Sequence, residues 1–272
     1  MERCNSSSRH EADPALGLIS VVGTGTGSRE NMTPQAVSAL NRADIIIGYK
    51  TYLDLIPELL AGKEILSSAM MQEVDRCNAS FELAGAGKRV ALVSGGDPGI
   101  YAMAGLVFEI AAKADSRVKI EVIPGIAAVN GCAARLGAPL MHDFAAISLS
   151  DLLTPWQVIE KRLAAAASAD FVIALYNPKS KKRTEHIVKA REIILRHRDA
   201  KTPVGIVTAA SRENESICLT TLEHMLDAEI NMQSTVIIGN STTFSWNGYM
   251  ITPRGYKEKY ELGRAEKAGM GE

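Results

Sequence analysis

The stretch Val90-Ala91-Leu92-Val93-Ser94-Gly95-Gly96-Asp97-Pro98-Gly99-Ile100-Tyr101 decides the reading of this chain. Four apolar residues in an unbroken run predict a buried strand. The run passes without a spacer into two glycines, an aspartate, a proline and a third glycine. In open α/β sheets, ligands bind at the carboxyl ends of the strands. Gly95 and Gly96 clear side chains from the approach, and Pro98 stiffens the turn. Asp97 sets a negative charge suited to an amino group, a sulfonium or a ribose hydroxyl. A turn that only reversed the chain would need fewer special residues, so Ser94–Tyr101 is expected to touch a ligand.

Working outward toward the N-terminus, Leu18–Val22 is a β-branched run ending in Gly23, a second buried strand. It opens into Gly23-Thr24-Gly25-Thr26-Gly27. The dinucleotide fingerprint needs a further glycine at the sixth position, which is Ser28 here, and the Walker loop needs Gly-Lys-Ser/Thr. Neither fits. A tight strand-to-helix turn accounts for this loop as well as a ligand contact does. Thr33-Pro34 follows as a helix start, with threonine as cap and proline in the first turn. Val37 and Leu40 mark its buried face. Ile45–Ile47 is a third strand, closed by Gly48. Val74, Cys77, Phe81 and Ala84 recur at helical spacing, and Gly85 and Gly87 end that helix.

Toward the C-terminus, a helix is expected over Met103–Ala112. Val118, Ile120 and Val122 alternate with polar residues, as in a strand with one face exposed. Pro124-Gly125-Ile126-Ala127-Ala128 then closes it, either as a reversal with close helix packing or as a further ligand contact. The back half repeats the pattern. Strands are expected at Ala145–Leu149, Phe171–Leu175, Val204–Val207 and Thr235–Ile238, with another near Gly248–Ile251. Thr154-Pro155 predicts a second capped helix start, and Ile187, Ala190 and Ile194 a helix face. The fold class is α/β: two α/β domains, 17–124 and 125–256, with a ligand cleft between them. Residues 1–16 and 257–272 are expected to be tails.

Of the 272 residues, 46% are hydrophobic and 22% charged, the balance of a globular protein with a real core. The formal net charge of −1 supplies no basic field for a nucleic acid. Cys4, Cys77, Cys132 and Cys218 contain no CxxC pair, so neither a metal site nor a disulfide framework is expected. No apolar run approaches the length of a membrane span and the N-terminus has no signal-peptide pattern, so a cytoplasmic protein is expected.

The three loops Gly23–Gly27, Gly95–Pro98 and Pro124–Ala128, in this order, resemble the tetrapyrrole methylases, the class III S-adenosylmethionine methyltransferases. The likeness spans roughly residues 17–256. Within that family it is similar to the branch that methylates C17 of precorrin-3B. The residues behind the narrower likeness are Gly48–Tyr52, Arg135–Leu140, His142-Asp143-Phe144, Ser148–Trp156, Tyr176-Asn177-Pro178, Gly239–Thr242 and Thr252–Tyr256. Ser148–Trp156 and Thr252–Tyr256 discriminate best. The family commonly has proline where this chain has Thr26.

The resemblance implies S-adenosyl-L-methionine as methyl donor and S-adenosyl-L-homocysteine as product. The donor would be held by Gly95, Gly96, Asp97, Ile100 and Tyr101. Ala127 and Ala128 would line it, and Tyr176, Asn177, Ala209 and Ala210 would border its adenine side. It implies methylation at C17 with ring contraction to precorrin-4, in a homodimer. Cobalt-factor III of the oxygen-independent route, or another acceptor carbon, is the alternative acceptor.

Ring contraction needs proton transfers near the C20 oxygen. His142, Asp143, Ser150 and Asp151 are the candidate acid/base residues, although each also suits a cap or turn. The substrate's carboxylates call for basic groups, and Lys50, Arg135, Lys179, Arg212 and Arg254 lie in or beside the motif loops. The run Lys179–Arg183 also reads as a solvated loop, and Tyr49, Tyr52 and Trp156 also read as core. Two readings of other classes remain: a dinucleotide-dependent oxidoreductase, which the failed fingerprint disfavours, and a non-catalytic tetrapyrrole-binding protein.

Overall fold

A computed structural model describes residues 15–68 and 72–260. The expected tails, and Cys4, fall largely or wholly outside them. The chain divides into two compact units. The first holds the described residues up to Gly131 together with Ala209–Glu215; the second holds Cys132–Thr208 and the described residues from Ser216 onward. The break thus falls inside the helix after the Pro124-Gly125 turn, and a short later segment returns to the first unit.

In the first unit the elements run β1 (Leu18–Gly23), α1 (Pro34–Arg42), β2 (Ile45–Tyr49), α2 (Lys50–Leu53), α3 (Pro57–Leu60), β3 (Glu64–Ser68), α4 (Glu73–Gly85), β4 (Arg89–Ser94), α5 (Met103–Lys113) and β5 (Lys119–Ile123). The strands form one parallel sheet in the order β3-β2-β4-β1-β5. Parallel strands covered on both faces read as continuous apolar runs, and β1, β2 and β4 do. Alternate residues of β4 feed two cores. Ala91 and Val93 join Leu40, Ile46 and Ile56 beneath α1 and α3. Val90 and Leu92 join Cys77, Ala84 and Val107 beneath α4 and α5.

Thr33 caps α1 as expected, its Oγ1 accepting from Ala36 N at 3.1 Å. On α4, Val74 is exposed, against expectation. The buried face is Arg76, Cys77, Ser80 and Ala84, and the Ser80 hydroxyl is satisfied by donating to Arg76 O at 2.8 Å.

The helix α6 (Ala128–Leu136) leads to the second unit: β6 (Gly137–Ala138), β7 (Phe144–Ser148), α7 (Trp156–Ser168), β8 (Val172–Tyr176), α8 (Glu185–Leu195), β9 (Pro203–Thr208), β10 (Ser216–Thr221), β11 (Ser234–Ile238), β12 (Phe244–Trp246) and β13 (Tyr249–Ile251). A mixed sheet has the order β10-β9-β11-β8-β7, in which only β7 and β8 pair in parallel. Its core joins Leu149, Ile159, Leu163, Ile173, Ile194 and Ile238. The expected cap at Thr154 is displaced by one residue. Pro155 takes the N-cap position, its locked φ of −54° suiting that extended geometry, and Thr154 falls outside the helix. The strand expected near Gly248–Ile251 is β13, half of a hairpin closed by Asn247-Gly248, both at positive φ.

Candidate functional site

The first sheet has a switch point. From β1 the chain runs through α1 to β2 on one side, and from β4 it runs through α5 to β5 on the other. β1 and β4 are neighbours in register from Leu18–Arg89 to Gly23–Ser94. Their following connections therefore diverge toward opposite faces, the arrangement at whose carboxyl edge ligands bind in open α/β sheets.

Three loops are pinned together there. Thr24 N donates to Ser94 O at 2.9 Å, Gly25 N to Gly96 O at 3.1 Å and Gly96 N to Gly25 O at 2.8 Å. The last two bonds form an antiparallel bridge between the first and second glycine loops. Asp97 joins the second loop to the third: Oδ1 accepts from Gly99 N at 2.8 Å and Oδ2 from Gly125 N at 3.2 Å. A Cβ on Gly23 would lie 2.6 Å from Gly125 N and 2.7 Å from Gly96 O, so the loops touch main chain to main chain. Gly96 has a φ of +67°, which side-chain-bearing residues rarely adopt. Its open side looks on Ala127 and Ala128, where α6 begins.

Tyr101 has a φ of +52°, and its side chain and that of Ile100 are exposed. Left-handed backbone costs an ordinary residue about 1–2 kcal/mol. Among the other left-handed non-glycine residues, Asp115, Asp170, Asn177 and Asn247 are types that tolerate it. Ala209 is expected to border the donor, and Ser211 follows close behind it. Such strain concentrates at functional sites.

The returning segment Ala209–Glu215 is seated on the first glycine loop. Thr26 Oγ1 donates to Ser211 Oγ at 2.9 Å, and Arg212 Nε donates to Thr26 O at 3.3 Å. Ala209 and Ala210 are buried behind that contact. Tyr52, on α2, packs its ring over Gly95, where a Cβ would lie 2.5–2.8 Å from the ring carbons. Tyr49 meets it edge-on with centroids 5.5 Å apart. Burial pushes the Tyr52 phenol above its ordinary pKa, and the positive charge of Arg212 works against that rise.

In the second unit, polar residues gather past the carboxyl ends of β7 and β8. Asn177 Nδ2 donates to Ser148 Oγ at 3.0 Å, as does Ser150 N at 3.2 Å. Arg183 Nη2 donates to Asn177 O at 2.9 Å, and Nη1 reaches Ser150 Oγ at 3.5 Å. The imidazole of His186 stacks on Trp156 with centroids 4.6 Å apart and sets Nε2 3.4 Å from Asp151 Oδ2. Burial holds His186 below its ordinary pKa; Asp151 opposes this, while Arg183 and Lys189 add to it.

The chain matches the tetrapyrrole (corrin/porphyrin) methylases over residues 18–226. It belongs to the tetrapyrrole methylase family. The cobalt-factor III methyltransferase of Priestia megaterium is 51% identical over 255 residues, which cover 92% of this chain and 47% of that protein. The chain thus spans about half the length of that relative. The probable cobalt-factor III C(17)-methyltransferase of Salmonella typhimurium LT2 is 50% identical over 88% of this chain and 99% of that protein. Among solved structures, the methyltransferase CobJ superposes with a TM-score of 0.82 at 35% identity, covering 87% of this chain and all of that one.

In this methylase, then, Gly95, Gly96, Asp97, Ile100, Tyr101, Ala127 and Ala128 share one edge of the first unit, and the seat on Thr26 ties Ala209 and Ala210 to it. Tyr176 and Asn177 close β8 in the second unit. The four acid/base candidates do not assemble. His142 and Asp143 precede β7, with His142 Nδ1 accepting from Asp143 N at 2.9 Å, whereas Ser150 and Asp151 follow it. A five-residue strand separates the pairs by about 17 Å. The basic candidates also scatter. Lys50 is exposed and paired with Asp54 at 2.8 Å. Arg135 ends α6, Arg254 is exposed, and Lys179 is half-buried beyond Asn177. Arg212 alone among them sits on a glycine loop. No sequence pattern marks Arg183 or His186 as a site residue. Arg183 lay at the end of a basic run that suits a solvated loop, yet its Nε is buried without a partner and its Nη atoms hold the Asn177 turn. Among the described residues, no group of three or more His, Cys, Asp or Glu could hold a metal, and no helix is long and apolar enough to cross a membrane.

Proposed function

We propose that this chain transfers a methyl group from S-adenosyl-L-methionine to C17 of a corrin-pathway tetrapyrrole, with ring contraction, in cobalamin biosynthesis. The observation that carries the reading is the near full-length likeness to a probable cobalt-factor III C(17)-methyltransferase. It favours the cobalt-containing acceptor over metal-free precorrin-3B. The cobalt belongs to the substrate.

When bound, the donor supplies an activated methyl group, and an electron-rich pyrrolic carbon receives it. The protein's task is alignment, because holding two reactants in attack geometry removes much of the barrier. The fused loops suit that task. Gly96 offers bare main chain, and Asp97 fixes the loop from within before any ligand arrives. A site rigid in advance loses less entropy on binding. Gly95, Gly96, Asp97, Ile100, Tyr101, Ala127 and Ala128 would hold the donor, with Ala209 and Ala210, and Tyr176 and Asn177, toward the adenine. Ser150 and Asp151, backed by Arg183 and His186, are the better placed of the acid/base candidates, because they lie at the same strand ends as Asn177. A cytoplasmic homodimer goes with this reading.

The test is incubation with methyl-labelled donor and, separately, cobalt-factor III and precorrin-3B. Label at C17 of a ring-contracted product is expected, with the cobalt complex turned over faster. Label at another carbon would make the chain a methylase of different regiochemistry. Tight tetrapyrrole binding with no transfer to either acceptor would make it a carrier.

A further inference from the structure

We propose that Arg212 and Tyr52 form a carboxylate-binding subsite of the methylase site, seated by Thr26 and Gly27. The inference rests on the functional reading above and adds a ligand chemistry and a set of residues to it.

Four observations converge. First, Arg212 is placed by the backbone at some cost. Ala209 and Ser211, two of the three residues before it, are left-handed, with φ of +51° and +63°. Second, the first glycine loop is shaped to receive it. A Cβ on Gly27 would lie 2.6 Å from Arg212 Cγ and 2.9 Å from Nε, so the stem lies flat on bare backbone. Thr26 holds the segment through its hydroxyl to Ser211 and its carbonyl to Arg212 Nε. Third, that contact uses only Nε. Among the described residues, Nη1 and Nη2 have no hydrogen-bond partner, so the fork is free for a bidentate acceptor. Fourth, the phenol of Tyr52 stands within the field of that guanidinium and over Gly95 of the second loop. No hydrogen bond within the described residues uses its hydroxyl, which leaves it a donor for a ligand at this edge.

A half-buried, unengaged guanidinium fork at the carboxyl edge of a parallel sheet fits a carboxylate. Two sources of carboxylate come with the proposed reaction: the donor's methionyl group and the acceptor's side chains. Thr26 acts here as a positioning residue: it holds Ser211 and Arg212, and its methyl packs on Gly131.

Binding separates the two sources. Wild type, R212A, R212K, Y52F and T26V are titrated with S-adenosylhomocysteine, with its decarboxylated analogue, and with uroporphyrin III as a stable polycarboxylate stand-in for the acceptor. R212A is expected to weaken one carboxylate ligand roughly tenfold to a hundredfold, the range of a charged hydrogen-bond pair. R212K should recover little, because lysine keeps the charge and loses the fork. Y52F and T26V should each weaken the same ligand severalfold. If homocysteine adduct and analogue converge in R212A while uroporphyrin is unaffected, the carboxylate is the donor's. If only uroporphyrin weakens, it is the acceptor's. Wild-type affinities for all three ligands in R212A, or full recovery in R212K, would overturn the subsite. Should R212A not fold, R212K and Y52F decide by the same ligands. Wild-type protein that binds neither adduct nor porphyrin would instead sink the functional reading, and the subsite with it.

Discussion

Gly125→Ala tests most directly whether the three loops act as one rigid support. A Cβ at this position would lie 2.9 Å from the carbonyl carbon of Gly23, 3.0 Å from its Cα, and closer still to Gly96 O. All are main-chain atoms of the two neighbouring loops, so no rotamer change relieves the overlap. Gly125 is not among the positive-φ positions, so the effect is steric rather than conformational. At an unobstructed site, glycine to alanine would stabilise by about 0.4–1 kcal/mol through the unfolded chain. Here carbon atoms prefer a separation of about 3.5–4.0 Å, so the third loop must retreat by roughly half an ångström or more. Overpacking of this kind costs about 1–3 kcal/mol. The retreat also stretches the 3.2 Å bond from Gly125 N to Asp97, and bonds to charged groups contribute about 1.5–3 kcal/mol. The clash outweighs the entropic gain, and a net loss of about 2–4 kcal/mol is expected. Urea unfolding should show a lower midpoint at unchanged slope, and calorimetric titration a weaker Kd for S-adenosylhomocysteine. A variant as stable as wild type would refute the claim that the loops meet main chain to main chain. A destabilised variant with undiminished binding would refute the claim that this edge holds the donor.

Two further outcomes follow from the second unit. Asp170→Ala should cost about 2 kcal/mol in unfolding free energy, below the range for a fully buried pair because Asp170 is itself part exposed. It removes the charge partner of Arg198, whose side chain is 4% exposed and keeps only the bond from Nη2 to Phe171 O, frees Ser241, and puts alanine at a φ of +61°; an unchanged urea midpoint would contradict this. Because burial depresses the His186 pKa, the native state binds fewer protons than the unfolded chain between the two pKa values. Its contribution is therefore complete above the unfolded value of about 6.5 and declines as pH falls through it. Tm should drop less between pH 7.5 and 5.5 in His186→Gln than in wild type, and parallel drops would show that His186 is not the titrating group.

How far the sequence could be read depended on where a strand sits in its sheet. β1, β2 and β4 are interior and covered on both faces, so each is a largely apolar run with a glycine or serine at or next to its end. Among the four edge strands of the two five-stranded sheets, β5 and β7 are legible from their apolar residues, whereas β3 (Glu64–Ser68) and β10 (Ser216–Thr221) are not. An edge strand is held largely by its ladder and needs apolar residues on one face at most, so Glu-Ile-Leu-Ser-Ser gives no comparable signal. The Thr154-Pro155 start failed for a related reason. Threonine before proline is compatible with a cap one residue either way, and here the cap falls on Pro155.

At the site, the legible part was whatever a loop demands of its own residues. The positive φ of Gly25 and Gly96 is a local requirement and leaves glycine in the sequence. The seat of Arg212 on Thr26 joins residues 186 apart, and Arg183 reaches Asn177 and Ser150 from a run whose composition suggests solvent. No local pattern encodes such pairings, and no spacing places His186 beside Asp151. Asp97 changes most between the two levels. The sequence suggests a charge turned toward a ligand. In the structure both carboxylate oxygens are already engaged, one within its own loop and one across to Gly125. Each oxygen retains a second lone pair, so a ligand contact is still possible, but the charge acts first on the protein itself. It draws two main-chain N–H groups onto one carboxylate and so sets the spacing between the second and third loops. The same aspartate that looks like a recognition element is therefore the tie that gives the glycines something fixed to present.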